Sequence, residues 1–312
     1  MTKRYKDLSI DDKKQIIDTY YSRKDLKMCE IRKMFNVSKR AFSKVFEDVN
    51  INTKLKNRYT LNEHYFDVID TPNKAYFLGL IAADGFVGEL NNFAIYSIDE
   101  SILLDFKREL NYSGELGRGH GNFKNSKEGY YLRLLSKHLV ESLNKLGITT
   151  KKSLTFDFIP NIESKYKKDF IRGYFDGDGS VTFGYRTYNN KYTYPRLSIL
   201  IMGVEGLLLE MAKVLGLKSF YIQQSKTPEI KVLRVSNKED LIKIYHVFYD
   251  DADVYLERKK DKIEKYMCAI NQKWLLQKGL IAGKLHNLLL LLHSSNTYGW
   301  TKCNDLGIVK TQ

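Results

Sequence analysis

Apolar side chains recur at helical spacing between residues 9 and 48. From residue 77 onward, short apolar runs and alternating segments follow one another in an order that occurs twice. Ser9-Ile10-Asp11-Asp12 reads as a helix start, an N-cap serine with an acid three residues on, and Ile16, Ile17 and Tyr20 give that helix an apolar face. A second helix is predicted from about Lys27 to Phe35. Asn36-Val37-Ser38 makes a tight turn, and Ser38 caps a third helix through about Asp48. Ile31, Phe35, Val37, Phe42 and Phe46 supply a compact core for the three.

The doubled pattern begins with two short apolar helices. One is Phe77-Leu78-Gly79-Leu80-Ile81-Ala82-Ala83-Asp84-Gly85, the other Ile171-Arg172-Gly173-Tyr174-Phe175-Asp176-Gly177-Asp178-Gly179. Phe86, Val87, Phe93, Ala94, Ile95 and Tyr96 follow the first, broken at Gly88 and Asn91-Asn92, and predict a β-hairpin. Residues 99–110 then read as a helix with acids in its first turn and bases near its end. A strand pair over about 115–135 and a helix over 136–146 complete the unit. The second half repeats the order: strands near 181–186 and 194–201, a helix near 204–215, strands near 219–223 and 231–235, a helix near 237–248. The predicted fold is α+β, two pseudo-symmetric α-β-β-α-β-β-α halves behind a small all-α domain.

The spacing within the apolar helices carries chemistry. Gly79 and Ala83, and Gly173 and Gly177, lie four apart and so share one helix face. Two faces without bulk let two helices approach closely, which brings Asp84 and Asp178 together at their C-terminal ends. Like charges then meet at the negative end of two helix dipoles. A divalent cation with hard oxygen ligands, such as Mg²⁺, resolves that conflict. Gly85 and Gly179 are expected to end their helices in the left-handed conformation.

At these residues the sequence resembles the LAGLIDADG homing endonucleases in their single-chain, two-motif form. The first copy has Phe77 for Leu, Leu78 for Ala and Ala82 for the first Asp; the second has Ile171, Arg172, Tyr174, Phe175 and Gly177 at departing positions. Both keep the third-position Gly and the final Asp-Gly. The resemblance implies a core over 74–250, with halves at about 74–150 and 164–250 whose sheets form a DNA-binding saddle. It implies metal binding by Asp84 and Asp178 together with Gly85 and Gly179. It implies Mg²⁺ as that metal, with Mn²⁺ able to substitute, and implies that Asp176 is not an equivalent ligand. Leu132-Arg133-Leu134 and Leu233-Arg234-Val235 occupy one place in the repeat, so Arg133 and Arg234 match the basic pocket residues that the family places on strands. The implied reaction is site-specific hydrolysis of both strands of a long DNA target by a monomer. An intron RNA maturase or an inactive DNA-binding regulator is the alternative on the same scaffold.

Charge agrees with a polyanionic partner. The 312 residues carry +14, and residues 1–60 hold sixteen Lys and Arg against eight Asp and Glu. Residues 1–58 resemble a helix-turn-helix module, with Arg32 and Asn36 where a small residue and a turn glycine are usual. Lys39, Arg40, Ser43 and Lys44 would face the major groove. Residues 59–73 read as a linker. The second-half hairpin carries Arg186, Tyr188, Asn189, Lys191, Tyr192 and Arg196, and the strands after it Gln223, Gln224, Lys226 and Lys231, residue types that read base edges and phosphates. Arg118, His120, Asn122, Lys124, Asn125 and Lys127 are the first-half counterparts.

Three cysteines, Cys29, Cys268 and Cys303, have no paired spacing, so neither a disulfide framework nor a cysteine zinc site is predicted, and a reducing cytoplasm fits. That setting suits a phage, prokaryotic or organelle gene. A charged N-terminus without an apolar run argues against a signal peptide. Leu288–Leu292 is too short to span a membrane. Met1-Thr2-Lys3 and His286-Asn287-Leu288 lack the nucleophiles of a protein-splicing element. Residues 251–312 read as a helical extension of unassigned role.

Overall fold

The computed structural model describes residues 2–23, 26–49, 51, 53, 59–88, 91–121, 127–150, 152–189 and 192–277. The predicted contacts Lys191, Asn122, Lys124 and Asn125, the side chain of Tyr192, and residues 278–312 lie outside them.

The N-terminal helices are α1 (Ile10–Ser22), α2 (Met28–Met34) and α3 (Lys39–Glu47). Ser9 and Asp12 close a reciprocal capping box at 3.0 Å in each direction, which satisfies two otherwise orphaned backbone donors. Asn36 takes the turn at φ +50°, a left-handed backbone that Asn tolerates. Arg32, the departure from the usual small residue, donates from its guanidinium to the Val37 carbonyl at 3.2 Å and so fastens the same turn. Ile16, Tyr20, Ile31, Val37, Phe42, Val45 and Phe46 form a separate buried core.

The first repeat runs α4 (Pro72–Asp84), β1 (Phe86–Val87), β2 (Asn92–Ser97), α5 (Glu100–Glu109), β3 (Gly117–His120), β4 (Glu128–Leu135) and α6 (Lys137–Lys145). After the short α7 (Lys152–Thr155), the second runs α8 (Lys167–Asp178), β5 (Gly179–Tyr188), β6 (Tyr192–Val204), α9 (Glu205–Val214), β7 (Phe220–Gln224), β8 (Ile230–Val235) and α10 (Lys238–Tyr249). A last helix, α11, spans Glu257–Gln277. The two antiparallel sheets have the same strand order, β1-β2-β4-β3 and β5-β6-β8-β7, so the repeat in the sequence is a repeat in topology. Phe93, Ile95, Phe106, Leu132, Leu134 and Leu139 are buried in the first unit, and Leu197, Ile199, Ile201, Leu208, Leu233 and Val235 in the second.

The compact units cut across the sequence halves. One holds Met1–Asp67 and Phe86–Leu143, the other Val68–Gly85 and Asn144 onward, so α4 and α8 belong to the same body. The expected linker is corrected over residues 60–67. Tyr65 and Phe66 are buried. The Asn62 amide donates to the Leu110 carbonyl at 2.8 Å, and the Thr60 hydroxyl to that of Asn111 at 2.7 Å. Two aromatic side chains with no water to face are the physical reason that this segment packs. Among the described residues no helix is long and apolar enough to cross a membrane.

Candidate active site and nucleic-acid interface

α4 is apolar on every side from Ala75 to Ala82, as a helix enclosed by protein must be, and starts with a Thr71 cap and Pro72 in its first turn. It lies against α8. A Cβ placed on Gly79 would meet the Phe170 carbonyl oxygen at 2.0 Å, and one on Gly173 would meet that of Tyr76 at 1.9 Å. Each glycine therefore admits the backbone of the opposite helix, the reciprocal contact that the spacing predicts. One turn further on, a Cβ on Gly177 would meet that of Ala83 at 2.4 Å and a carboxylate oxygen of Asp84 at 3.2 Å. The face-to-face packing thus carries Asp84 and Asp178 to one place.

The two carboxylates reach solvent, yet enough protein surrounds them to disfavour their charge. Burial raises the Asp84 pKa to about 6, helped by the charge of Asp178 and opposed by Lys259, Lys152 and Arg258. Burial also raises that of Asp178, opposed by Lys152, the Tyr174 hydroxyl and Lys259. Among the described residues neither carboxylate forms a salt bridge. Two accessible carboxylates held where their charge is disfavoured, with oxygen donors alone, fit a hard divalent cation.

Gly85 and Gly179 are corrected. Neither is left-handed: φ/ψ are −72°/148° and −94°/157°, extended backbone that leads straight into β1 and β5. Glycine is required there by space, since a Cβ on Gly179 would lie 2.3 Å from the Phe175 carbonyl oxygen. The Gly179 carbonyl, an implied metal ligand, accepts a hydrogen bond from Lys259 Nζ at 2.5 Å.

Two lysines absent from the sequence-level site stand at the helix ends. Lys259 on α11 is 3% exposed and also donates to the carbonyls of Phe175 and Asp176, at 2.5 and 2.8 Å. Lys152 on α7 is 5% exposed and donates to the Ala83 carbonyl at 2.9 Å. Each lysine satisfies orphaned carbonyls at the negative end of one motif helix. Burial lowers both pKa values, that of Lys259 to about 8. The electrostatic conflict expected at the helix ends is thus met in part by the chain's own cations. Asp176 is buried and structural: it accepts from the Tyr76 hydroxyl at 2.8 Å and the Leu256 amide at 2.9 Å. Residues 251–277 therefore belong to the same compact unit as the two motif helices.

Strand alternation sorts the interface candidates. Arg186 pairs with Tyr194, Tyr188 with Tyr192 and Leu200 with Arg234, so Arg186, Tyr188, Arg196 and Arg234 share one face of the second sheet. Gln223, opposite Val232, is on that face too. Arg196, Ser219, Tyr221, Gln223, Arg234, Ser236 and Asn237 line an open hollow of about 460 Å³ there. Gln224 and Lys231 pair on the opposite parity and bond to each other, with Gln224 also reaching the Thr227 and Pro228 carbonyls, so the structure separates them from Gln223. Asn189 forms the hairpin turn at φ +49°.

In the first unit Arg133 is exposed and stacks over Tyr131, whereas Arg118 stacks over Tyr130 on the other face. Lys39, Arg40, Ser43 and Lys44 are exposed on α3, opposite its buried Ala41, Phe42, Val45 and Phe46; Lys44 also stacks over the Tyr5 ring.

No protein-family model matches the chain. It is 26% identical over 203 residues to DNA-directed RNA polymerase subunit Rpo1C of Methanocaldococcus jannaschii, a match covering 63% of this chain and 21% of that subunit. The chain thus spans about a fifth of the length of that curated relative. Similar solved structures include meganuclease I-SmaMI bound to uncleaveable DNA, at TM-score 0.46 and 14% identity over 73% of this chain and 99% of that one. The I-LtrWI LAGLIDADG homing endonuclease bound to target DNA gives 0.47 and 12% over 76% and 99%. LAGLIDADG meganuclease I-AabMI bound to uncleaved DNA gives 0.45 and 12% over 65% and 91%.

Proposed function

We propose that this chain is a single-chain LAGLIDADG homing endonuclease that binds a long double-stranded DNA site and hydrolyses a phosphodiester bond on each strand. The observation that carries the reading is the glycine-mediated contact of α4 with α8, which sets Asp84 and Asp178 side by side at two helix ends. Asp84 and Asp178 would hold Mg²⁺, and the ion when bound would activate water and stabilise the leaving oxygen. The chain's own residues prepare that place. Gly79, Gly173 and Gly177 fix the spacing of the carboxylates. Lys152 and Lys259 offset their charge and add positive potential where a phosphate approaches. Arg186, Tyr188, Arg196, Gln223 and Arg234 offer donors and aromatic surface on one sheet face, suited to phosphates and base edges. Lys39, Arg40 and Ser43 on α3 are placed for a second contact.

The test is cleavage of a plasmid carrying the joined sequences that flank the gene, with Mg²⁺ and then with EDTA. A discrete Mg²⁺-dependent double-strand cut is expected. Asp84→Asn and Asp178→Asn should each abolish it while DNA binding survives. If both single variants still cut both strands, the metal assignment is wrong. Binding without cutting, by wild type as by the variants, would turn the reading to a DNA-binding regulator or an intron RNA maturase.

A further inference from the structure

We propose that His64, Asp67 and His138, in the first compact unit and apart from the motif aspartates, form a binding site for a divalent transition-metal ion of the Zn²⁺ class. His64 Nδ1 lies 2.7 Å from Asp67 Oδ2, and His138 Nε2 lies 2.7 and 2.9 Å from the two Asp67 oxygens. The ligand atoms of all three residues fall within 4.8 Å of one another. Zinc–imidazole and zinc–carboxylate bonds of roughly 2.0–2.2 Å put tetrahedral ligand atoms about 3.3 Å apart, so the two His–Asp67 contacts of 2.7 Å have to open by roughly 0.6 Å to admit an ion.

Three further features support the assignment. His64 and Asp67 come from the 60–67 segment and His138 from the first turn of α6, so the ligands converge from separate elements. The imidazole rings lie close together, with centroids 4.1 Å apart and planes tilted by 51°, so the two ring nitrogens converge on one carboxylate. Ser142, buried on the same helix, donates to Asp67 Oδ1 at 2.6 Å and orients the carboxylate as an outer partner does in a metal site. Two imidazoles with one carboxylate select Zn²⁺, Co²⁺, Ni²⁺ or Cu²⁺ over Mg²⁺, which prefers oxygen alone. The site is open, with the His64 side chain 72% exposed, and water completes the coordination. The ion ties the 60–67 segment, through which the N-terminal module joins the rest of the chain, to α6.

The experiment uses the full chain carrying Asp84→Asn and Asp178→Asn, so that the motif carboxylates do not compete for ions. Chelator-stripped protein is titrated with Co²⁺ and followed by its visible d–d absorption, then displaced with Zn²⁺. One equivalent should bind, and Zn²⁺ should raise Tm. Ser142→Ala should weaken binding by about 10–100-fold, and His64→Ala or His138→Ala by more. His64 is exposed, so its variant keeps the fold and loses only the ligand. The proposal is overturned if no equivalent binds, or if His64→Ala binds Co²⁺ as tightly and with the same spectrum as its parent. Either outcome would leave a plain His–Asp–His hydrogen-bonded cross-link.

Discussion

Asp84 holds a charge that its surroundings resist, and the sign of the consequence follows from its raised pKa. The usual carboxylate value is 3.8 and the folded value is about 6. The folded protein therefore binds this proton more tightly than the unfolded chain does. The stabilisation is complete below about pH 4 and is lost as pH rises through 6. In the presence of chelator, the Tm advantage of Asp84→Asn over wild type should grow between pH 4 and 7, and Mg²⁺ should shrink it at pH 7. A difference that stays constant with pH would dismiss the claim that burial and Asp178 disfavour this charge. The two aspartates were legible in the sequence because each sits in a repeated motif. Lys152 and Lys259 were not, because they act from outside the repeat and across more than 60 residues. Lys259 did leave a trace: it stands at helical spacing with buried Ile263 and Tyr266, on the apolar stripe of α11. A lysine on such a stripe must find carbonyls or carboxylates, and this one finds three carbonyls.

The helix pair shows what spacing determines and what it leaves open. Small residues four apart predicted the α4–α8 contact, and the reciprocal positions of Gly79 and Gly173 agree with it. Alanine in a helix interior gains about 1 kcal/mol over glycine from propensity alone. Here that gain is outweighed, since a Cβ on either glycine would fall near 2 Å from a backbone carbonyl that no rotamer change relieves. Gly79→Ala and Gly173→Ala should each destabilise the protein by about 1–3 kcal/mol in urea unfolding, and should lower any cleavage rate by moving the aspartates apart. Gly184, in β5 with nothing within 4 Å of an added Cβ, is the control, and alanine there should be neutral or slightly stabilising. Equal effects at all three positions would remove the close-approach argument. The helix ends were less legible. Asp-Gly is a common signal for a left-handed stop, but here the chain passes directly into a strand, and only tertiary crowding reveals why glycine is needed. β5 and β6 likewise run past their apolar residues, because ribbon ends of exposed tyrosine, threonine and arginine keep pairing after the core pattern stops.

At the scale of the whole molecule the charge is unevenly placed, and this separates binding strength from cutting position. The N-terminal helices have their own buried core and a surplus of basic residues, so they should be removable without dismantling the rest of the first compact unit. Sequence reading expected a module ending near residue 58, but not that residues 60–67 are packed, since scattered aromatic positions in a polar stretch read as a linker. The structure therefore sets where a truncation ends: removing residues 1–51 spares buried Phe66 and the bonds of Thr60 and Tyr65 to residues 109–113. In the reading proposed here, the cut site is set by Asp84 and Asp178 and by the polar face of the second sheet, all outside the deleted part. The truncated chain should thus cut at the same phosphodiester bonds. Its affinity should fall, and because each lost phosphate contact removes about 0.9 from the slope of log K against log salt, the salt dependence should become shallower. Titration of labelled target DNA at several salt concentrations, with the cut mapped on the same target, reads both quantities. A shifted cut would mean that the N-terminal helices set the register on DNA. Unchanged affinity and slope would mean that Lys39, Arg40, Ser43 and Lys44 do not touch it.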